Sequence, residues 1–302
     1  SMPRKISFIN YKGGVGKTSV IVNLASCLVE RGNRVLLIDL DAQSNSSIWL
    51  MRLGRWNELN STDVGQVYSI FNPGTVSLKE CIIKDVVVDK DGQQILPGLD
   101  LIPTTFSLVD LEHEYDADPQ EPPYLIFQQE LEAIEKDYDF ILFDCAPNIL
   151  RASQLGLFNS NEVYVPSNPD ALSLIGYTLL TDKLEQFNRR SASFRRSGMG
   201  KPAIIQGIVF NSIKGNVDIE VPKMRMQFRL NQYKNAKRAG PHAKIFDAQI
   251  RDAMVVRRAV TLGLPVLKIT QAQDDTESVL NDYLALADEL IKHGESLSSS
   301  GD

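Results

Sequence analysis

The stretch Asn10-Tyr11-Lys12-Gly13-Gly14-Val15-Gly16-Lys17-Thr18 follows an alternating apolar segment, Ile6-Ser7-Phe8-Ile9, and precedes an apolar-rich run, Val20 to Val29, that ends at Gly32. This order reads as strand, glycine loop, helix. A loop with three glycines can turn its backbone N–H groups inward and deliver an anion to the helix it opens, where unpaired amides and the helix dipole favour negative charge. The expected ligand is a phosphate. The strict phosphate-loop pattern asks for glycine where Tyr11 stands, so what remains is Gly-x-Gly-Lys-Thr with an extra lysine, Lys12, ahead of it. Lys17 is expected to reach the outer phosphates and Thr18 to give its hydroxyl to a magnesium ion, with Gly13, Gly14, Val15, Gly16 and Ser19 completing the phosphate-binding set. Lys12 has no evident work in a single site of this kind.

Two acid-tipped strands fit such a loop. Arg34-Val35-Leu36-Leu37-Ile38-Asp39 reads as a buried strand of a parallel sheet, where ligands collect at carboxyl ends. Asp41 follows two residues on, so an extended backbone would turn both carboxylates to one side. Asp39 is then placed to hold magnesium through water and Asp41 to orient a water attacking the γ-phosphate. Tyr138 to Asp144 reads as a second such strand, with Asp144 beside the magnesium's water shell. An acid at a strand end is common, and its weight here comes from the loop upstream.

With 43% apolar residues in 302, the chain can bury a large core. No apolar run approaches a membrane span of roughly 18 residues, and no signal-peptide layout opens the chain. The three cysteines, Cys27, Cys81 and Cys145, are too far apart for a disulfide framework or a metal knuckle, which suggests a reducing compartment. The net charge of −6 conceals an asymmetry: residues 186–258 hold 16 Lys and Arg against 4 Asp and Glu, a local +12, and the rest holds 16 against 34, or −18. A basic segment in an acidic protein points to a polyanionic partner met by one region.

Further strands are expected at Leu99–Pro103, Glu162–Pro166, Ile204–Asn211 and Leu264–Leu267, and helices at 64–71, 76–85, 125–136, about 171–188 and about 276–292. Asn211, at a strand end, is a candidate for an adenine edge or for a turn cap. The alternation predicts an α/β fold with a doubly wound, mostly parallel sheet and helices on both faces. A single domain over 1–295 with a disordered tail at 296–302 is the expected organisation.

Lys12 to Thr18, Leu37-Ile38-Asp39-Leu40-Asp41-Ala42-Gln43 and Phe143-Asp144-Cys145-Ala146-Pro147 together resemble the ParA/MinD family of deviant Walker A ATPases, most of all its ParA/Soj-type partition branch. Ala42, Ser44 and Ala146 depart from the usual proline, glycine and proline of that family without removing a phosphate-binding group. The resemblance implies an ATPase using ATP and Mg²⁺, in which Lys12 is a signature lysine crossing to a partner subunit's nucleotide, so that ATP binding becomes homodimerisation. It also implies non-specific binding of double-stranded DNA, slow hydrolysis stimulated by a ParB-type centromere-binding protein, and a cytoplasmic, nucleoid-associated location. Arg195, Arg196, Lys223, Arg225, Arg251, Arg257 and Arg258 are the candidate DNA contacts, since phosphate neutralisation supplies affinity without sequence preference. The chain as given starts almost at the first strand, so no operator-reading region is expected.

Four other functions compete. A ParA-like ATPase that positions a protein cargo would share all of this chemistry. A MinD-like membrane ATPase needs a basic amphipathic C-terminal helix, and 281–292 instead carries Asp282, Asp288 and Glu289. An iron–sulfur reductase needs cysteines suited to a bridging cluster. A dethiobiotin synthetase-like enzyme has no use for a basic segment.

Overall fold

The apolar runs of the sequence form one seven-stranded sheet in a computed structural model that describes residues 1–12, 16–270 and 275–299. Its strands are β1 (Arg4–Phe8), β2 (Val35–Leu40), β3 (Leu99–Ile102), β4 (Phe140–Cys145), β5 (Glu162–Ser167), β6 (Ile204–Phe210) and β7 (Ala239–Ile245). They lie in the order β3-β2-β4-β1-β5-β6-β7, and every ladder is parallel. The helices are α1 (Lys17–Glu30), α2 (Asn45–Met51), α3 (Leu53–Thr62), α4 (Asp110–His113), α5 (Pro123–Glu132), α6 (Arg151–Asn159), α7 (Ala171–Ser191), α8 (Glu220–Asn235), α9 (Met254–Leu262) and α10 (Thr276–Ser299).

Strands such as Val-Leu-Leu-Ile-Asp-Leu of β2 are buried at every residue because helices cover both faces of the sheet. On one face, Val20, Leu24 and Leu28 of α1 pack with Tyr283, Leu286 and Leu290 of α10 against Ile6 and Phe8. On the other, Phe127 of α5, Leu155 of α6, Leu180 of α7 and Leu230 of α8 pack against Ile141 and Phe143. The chain leaves β1 for β2 on one side and leaves β4 for β5 on the other. That reversal is a topological switch point, and it leaves a crevice at the carboxyl ends of β1 and β4.

Several elements differ from expectation. Segments 64–71 and 76–85 form only short 3₁₀ turns, Val67–Ile70 and Lys79–Cys81. Leu264–Leu267 forms no strand: Pro265 lacks an N–H, and the Val266 N–H is taken by a side chain, Asn23 Oδ1, at 2.8 Å. In place of a strand there, β7 closes the sheet, though its Ala-Gly-Pro-His-Ala-Lys-Ile has no apolar alternation. Its place at the sheet edge tolerates Pro241. Helix α10 runs past Lys292 and takes Ser296 to Ser299, expected in a disordered tail, into its last turn; 300–302 lie outside the described residues.

Candidate nucleotide-binding site

Helix α1 opens at the switch point. Its N-cap, Gly16, has φ +73°, a left-handed conformation that glycine adopts without strain. The Asn211 side-chain amide donates to the Gly16 carbonyl at 3.4 Å, and a Cβ on Gly16 would stand 2.4 Å from that amide nitrogen. Asn211 therefore braces the loop from the end of β6. Gly13, Gly14 and Val15 lie outside the described residues.

Lys17 and Thr18, at the start of α1, both address Asp144 at the end of β4. Lys17 Nζ donates to one carboxylate oxygen, and Thr18 Oγ1 lies 3.2 Å from the other. Burial pulls the Lys17 ammonium down, but the Asp144 charge and hydrogen bond outweigh it and the net shift is upward. The β2–β4 register sets Asp39 directly beside Asp144. Asp39 is wholly buried and accepts from the Ser47 N–H at 3.1 Å, from the Ser47 hydroxyl and from the Asp41 N–H at 3.1 Å. Burial first, and the Asp144 charge second, push its carboxyl well above the usual carboxylate range. Asp41 is partly exposed, and burial raises it too; its Oδ1 accepts from the Gln43 N–H at 3.0 Å.

Lys17 thus feels the charges of Asp144 and Asp41, and Asp39 stands beside Asp144, so that carboxylates outnumber the one lysine here and a further cation would balance them. Among the described residues no group of three or more His, Cys, Asp or Glu side chains is disposed to grip a metal alone. Magnesium suits such a site, because it keeps most of its water and takes few protein ligands plus substrate phosphates. A cavity of about 310 Å³ opens over these groups, lined by Lys12, Lys17, Thr18, Ser19 and Asp41.

Lys12 lines this cavity but pairs with a different acid. Its Nζ lies 2.9 Å from Asp170 Oδ2, and its backbone N–H donates to Asn10 Oδ1 at 2.7 Å. Asp170 is also the N-cap of α7, accepting from the Ser173 N–H at 2.8 Å. Sequence reasoning missed Asp170, although an acid after Asn168-Pro169 and before an apolar-periodic helix carries an N-cap signature.

The seven candidate DNA residues divide between two ends of the sheet. Lys223 and Arg225 lie in the first half of α8, which follows the carboxyl end of β6; Arg251 precedes α9, and Arg257 and Arg258 lie on it. Arg251 makes a two-point pair with Asp282 at 2.8 and 3.1 Å, and Arg257 pairs with Asp252 at 3.2 Å. Arg195 and Arg196 sit at the opposite end, beside Met2, Pro3 and Asn161, where β1 and β5 begin. There Arg195 stacks on Phe158 with 4.5 Å to the ring centre, and Arg196 pairs with Glu132 at 2.6 Å. The three cysteines are all buried, and burial pushes the Cys145 thiol up to about 12. No described helix is long and apolar enough to cross a membrane.

A parallel sheet with flanking helices, a glycine-capped helix at the switch point and a lysine–threonine pair facing an acid-tipped strand define a P-loop NTPase. The chain belongs to the ParA/MinD family of deviant Walker A ATPases. Residues 3–195 match the family described as AAA domain. It is 29% identical over 290 residues to the chromosome partitioning protein ParA of Caulobacter vibrioides, covering 95% of this chain and 94% of that one. It is 31% identical over 209 residues to the chromosome-partitioning ATPase Soj of Treponema pallidum, covering 69% and 71%. The ATP complex of a Cyanothece McdA variant shares the fold, with a TM-score of 0.67 at 16% identity over 96% of this chain and 97% of that one.

Proposed function

We propose that this chain is an ATP-dependent dimerising switch: with ATP and Mg²⁺ two copies join face to face, the dimer binds double-stranded DNA without sequence preference, and slow hydrolysis releases it. Its service is segregation of plasmid or chromosomal DNA with a ParB-type partner, in the cytoplasm and on the nucleoid. The observation that carries this reading is the division of labour between the lysines. Lys17 serves the chain's own phosphate site on Asp144, and Lys12 lies outside that work, held on Asp170 at the rim.

A second surface supports it. Leu172 and Ile175 of α7, Met224 and Phe228 of α8, and Leu150 ahead of α6 are all large, apolar and more than half exposed. Each lies on, or just ahead of, a helix that starts at the carboxyl end of the sheet, the end that carries the loop. Apolar side chains left open around a charged site suit cover by another protein surface.

In the mechanism, Lys17 would exchange Asp144 for the nucleotide's outer phosphates. Thr18, with Asp144 and Asp39 behind it, would hold a magnesium ion, which when bound would supply charge neutralisation to the phosphoryl group. Asp41, the most exposed of the three acids and the one lining the cavity, positions the attacking water and accepts its proton. Lys12 of each copy adds a positive charge to the other's phosphates. Sedimentation and DNA binding measured in ATP, ADP and no nucleotide test the reading. Dimerisation and DNA binding confined to ATP are expected, and a monomer that binds no DNA in ATP overturns it.

A further inference from the structure

Helix α9, which carries Arg257 and Arg258, is fastened at its C-terminal end to the two helices that open on the phosphate site. From α2, which starts just after Asp41, the Trp49 indole N–H donates to the Leu264 carbonyl at 2.9 Å. From α1, which starts at Lys17, Asn23 Oδ1 accepts the Val266 N–H at 2.8 Å, and Asn23 Nδ2 donates to the Ser19 carbonyl at 2.8 Å. Between them Gly263 ends α9 with φ +67°, and a Cβ there would stand 3.2 Å from the Trp49 carbonyl oxygen and 2.5 Å from Arg52 Cγ. The end of α9 thus rests directly on the end of α2. Val260, on α9 itself, lines the same cavity as Lys17, Thr18, Asp41 and Asn45.

We propose that residues 263–266 form a clasp through which Trp49 and Asn23 couple the occupancy of the phosphate cavity to the position of α9, so that the nucleotide sets the DNA affinity of Arg257 and Arg258. This rests on the function proposed above and adds the residues that link its two sites. A ligand shifts a conformational equilibrium only through contacts that differ between the two states. Filling the cavity changes what surrounds Asp41 and Asn45 on the α2 side and Val260 on the α9 side, and both sides end at the clasp. Trp49 is a positioning residue. Indole is a donor only, and the partly buried Leu264 carbonyl is the acceptor that it reaches, so the bond ties the end of α9 to α2.

The test uses the full chain with Mg²⁺ and either ADP or AMPPNP, at matched nucleotide saturation. Amide hydrogen exchange over 254–266 and DNA affinity are measured for the wild type, Trp49→Phe and Gly263→Ala. Trp49→Phe keeps an aromatic ring and deletes the donor. In the wild type, exchange and affinity are expected to differ between the two nucleotides; in Trp49→Phe both differences shrink about fivefold, as loss of one hydrogen bond worth about 1 kcal/mol implies. A merely structural role would raise exchange equally in both nucleotides and leave the difference intact, and that result overturns the clasp. If α9 exchange responds to nucleotide in the wild type and not in the variant while no DNA binds, the clasp stands and the DNA reading falls. If wild-type α9 exchange is indifferent to nucleotide, the clasp falls. Should Trp49→Phe fail to fold, Gly263→Ala decides from the α9 side, a preserved nucleotide difference again overturning the proposal.

Discussion

Lys12 and Asp170 stand 158 positions apart in the chain and 2.9 Å apart in the fold. The pair is partly exposed, so water screens it and it adds on the order of 0–1 kcal/mol to stability. An interaction that weak can hold the lysine at the rim and still release it to a stronger anion. Lys12→Ala is therefore expected to keep ATP binding and thermal stability near wild type while losing ATP-dependent dimerisation and turnover. Sedimentation in ATP beside nucleotide titration checks this, and a variant that still dimerises refutes the assignment.

Lys17→Ala should fail in two respects. Nucleotide binding is lost, and Asp144, 1% exposed, is left without its cation. Breaking a buried pair by removing one partner costs about 3–5 kcal/mol. Denaturant unfolding of the variant beside the wild type measures the penalty.

Asp41→Ala removes the water-positioning group and leaves Lys17, Thr18, Asp39 and Asp144 in place. Turnover should fall by about a hundredfold or more while ATP-dependent dimerisation and DNA binding persist. Phosphate release beside sedimentation separates the two effects, and normal turnover would remove Asp41 from its role.

The division of the basic residues between two ends of the sheet predicts a contrast. Arg257→Glu with Arg258→Glu should weaken binding to every DNA sequence alike and flatten its salt dependence. Arg195→Glu with Arg196→Glu should leave DNA affinity near wild type, since these residues lie at the far end from the loop. A mobility-shift titration at two salt concentrations tests both pairs.

His293 supplies a stability prediction. It is buried on α10 against Phe246 and Tyr164, with Nε2 3.1 Å from the Gln206 carbonyl. Burial lowers its proton affinity, aided by the charges of Lys244 and Arg4 and opposed by the Gln206 hydrogen bond and by Glu162. The unfolded chain binds this proton more readily than the folded one, so the contribution is complete above the unfolded value of about 6.5 and fades as pH falls through the lower folded value. Melting temperatures should drop between pH 7.5 and 5, and His293→Gln should flatten part of that slope.

The start of α1 at Lys17 and the placing of Asp39, Asp41 and Asp144 were legible because each lies within a few residues of its own strand end, where position follows from local pattern. Lys12 was legible as a surplus, and the partner that holds it was not. Helix α8 escaped notice because it buries only Met226, Leu230 and Tyr233, too narrow a stripe to stand out among Lys and Arg. Strand β7 escaped because pairing with β6, and no pattern of its own, makes it a strand. Nearness in sequence groups Arg195 and Arg196 with the other basic residues, yet α7 carries the chain from one end of the sheet to the other before it reaches them.

By itself, then, the sequence pointed to a phosphate site at Gly16–Thr18, to acid-tipped strands beside it and to one lysine left over. Only the tertiary structure decided which groups meet: Lys17 with Asp144, Lys12 with Asp170, and the Trp49 indole with the Leu264 carbonyl. The reason is the parallel sheet. It brings the carboxyl ends of strands distant in sequence to one edge and sends the intervening helices back to the other, so nearness along the chain says little about nearness in space.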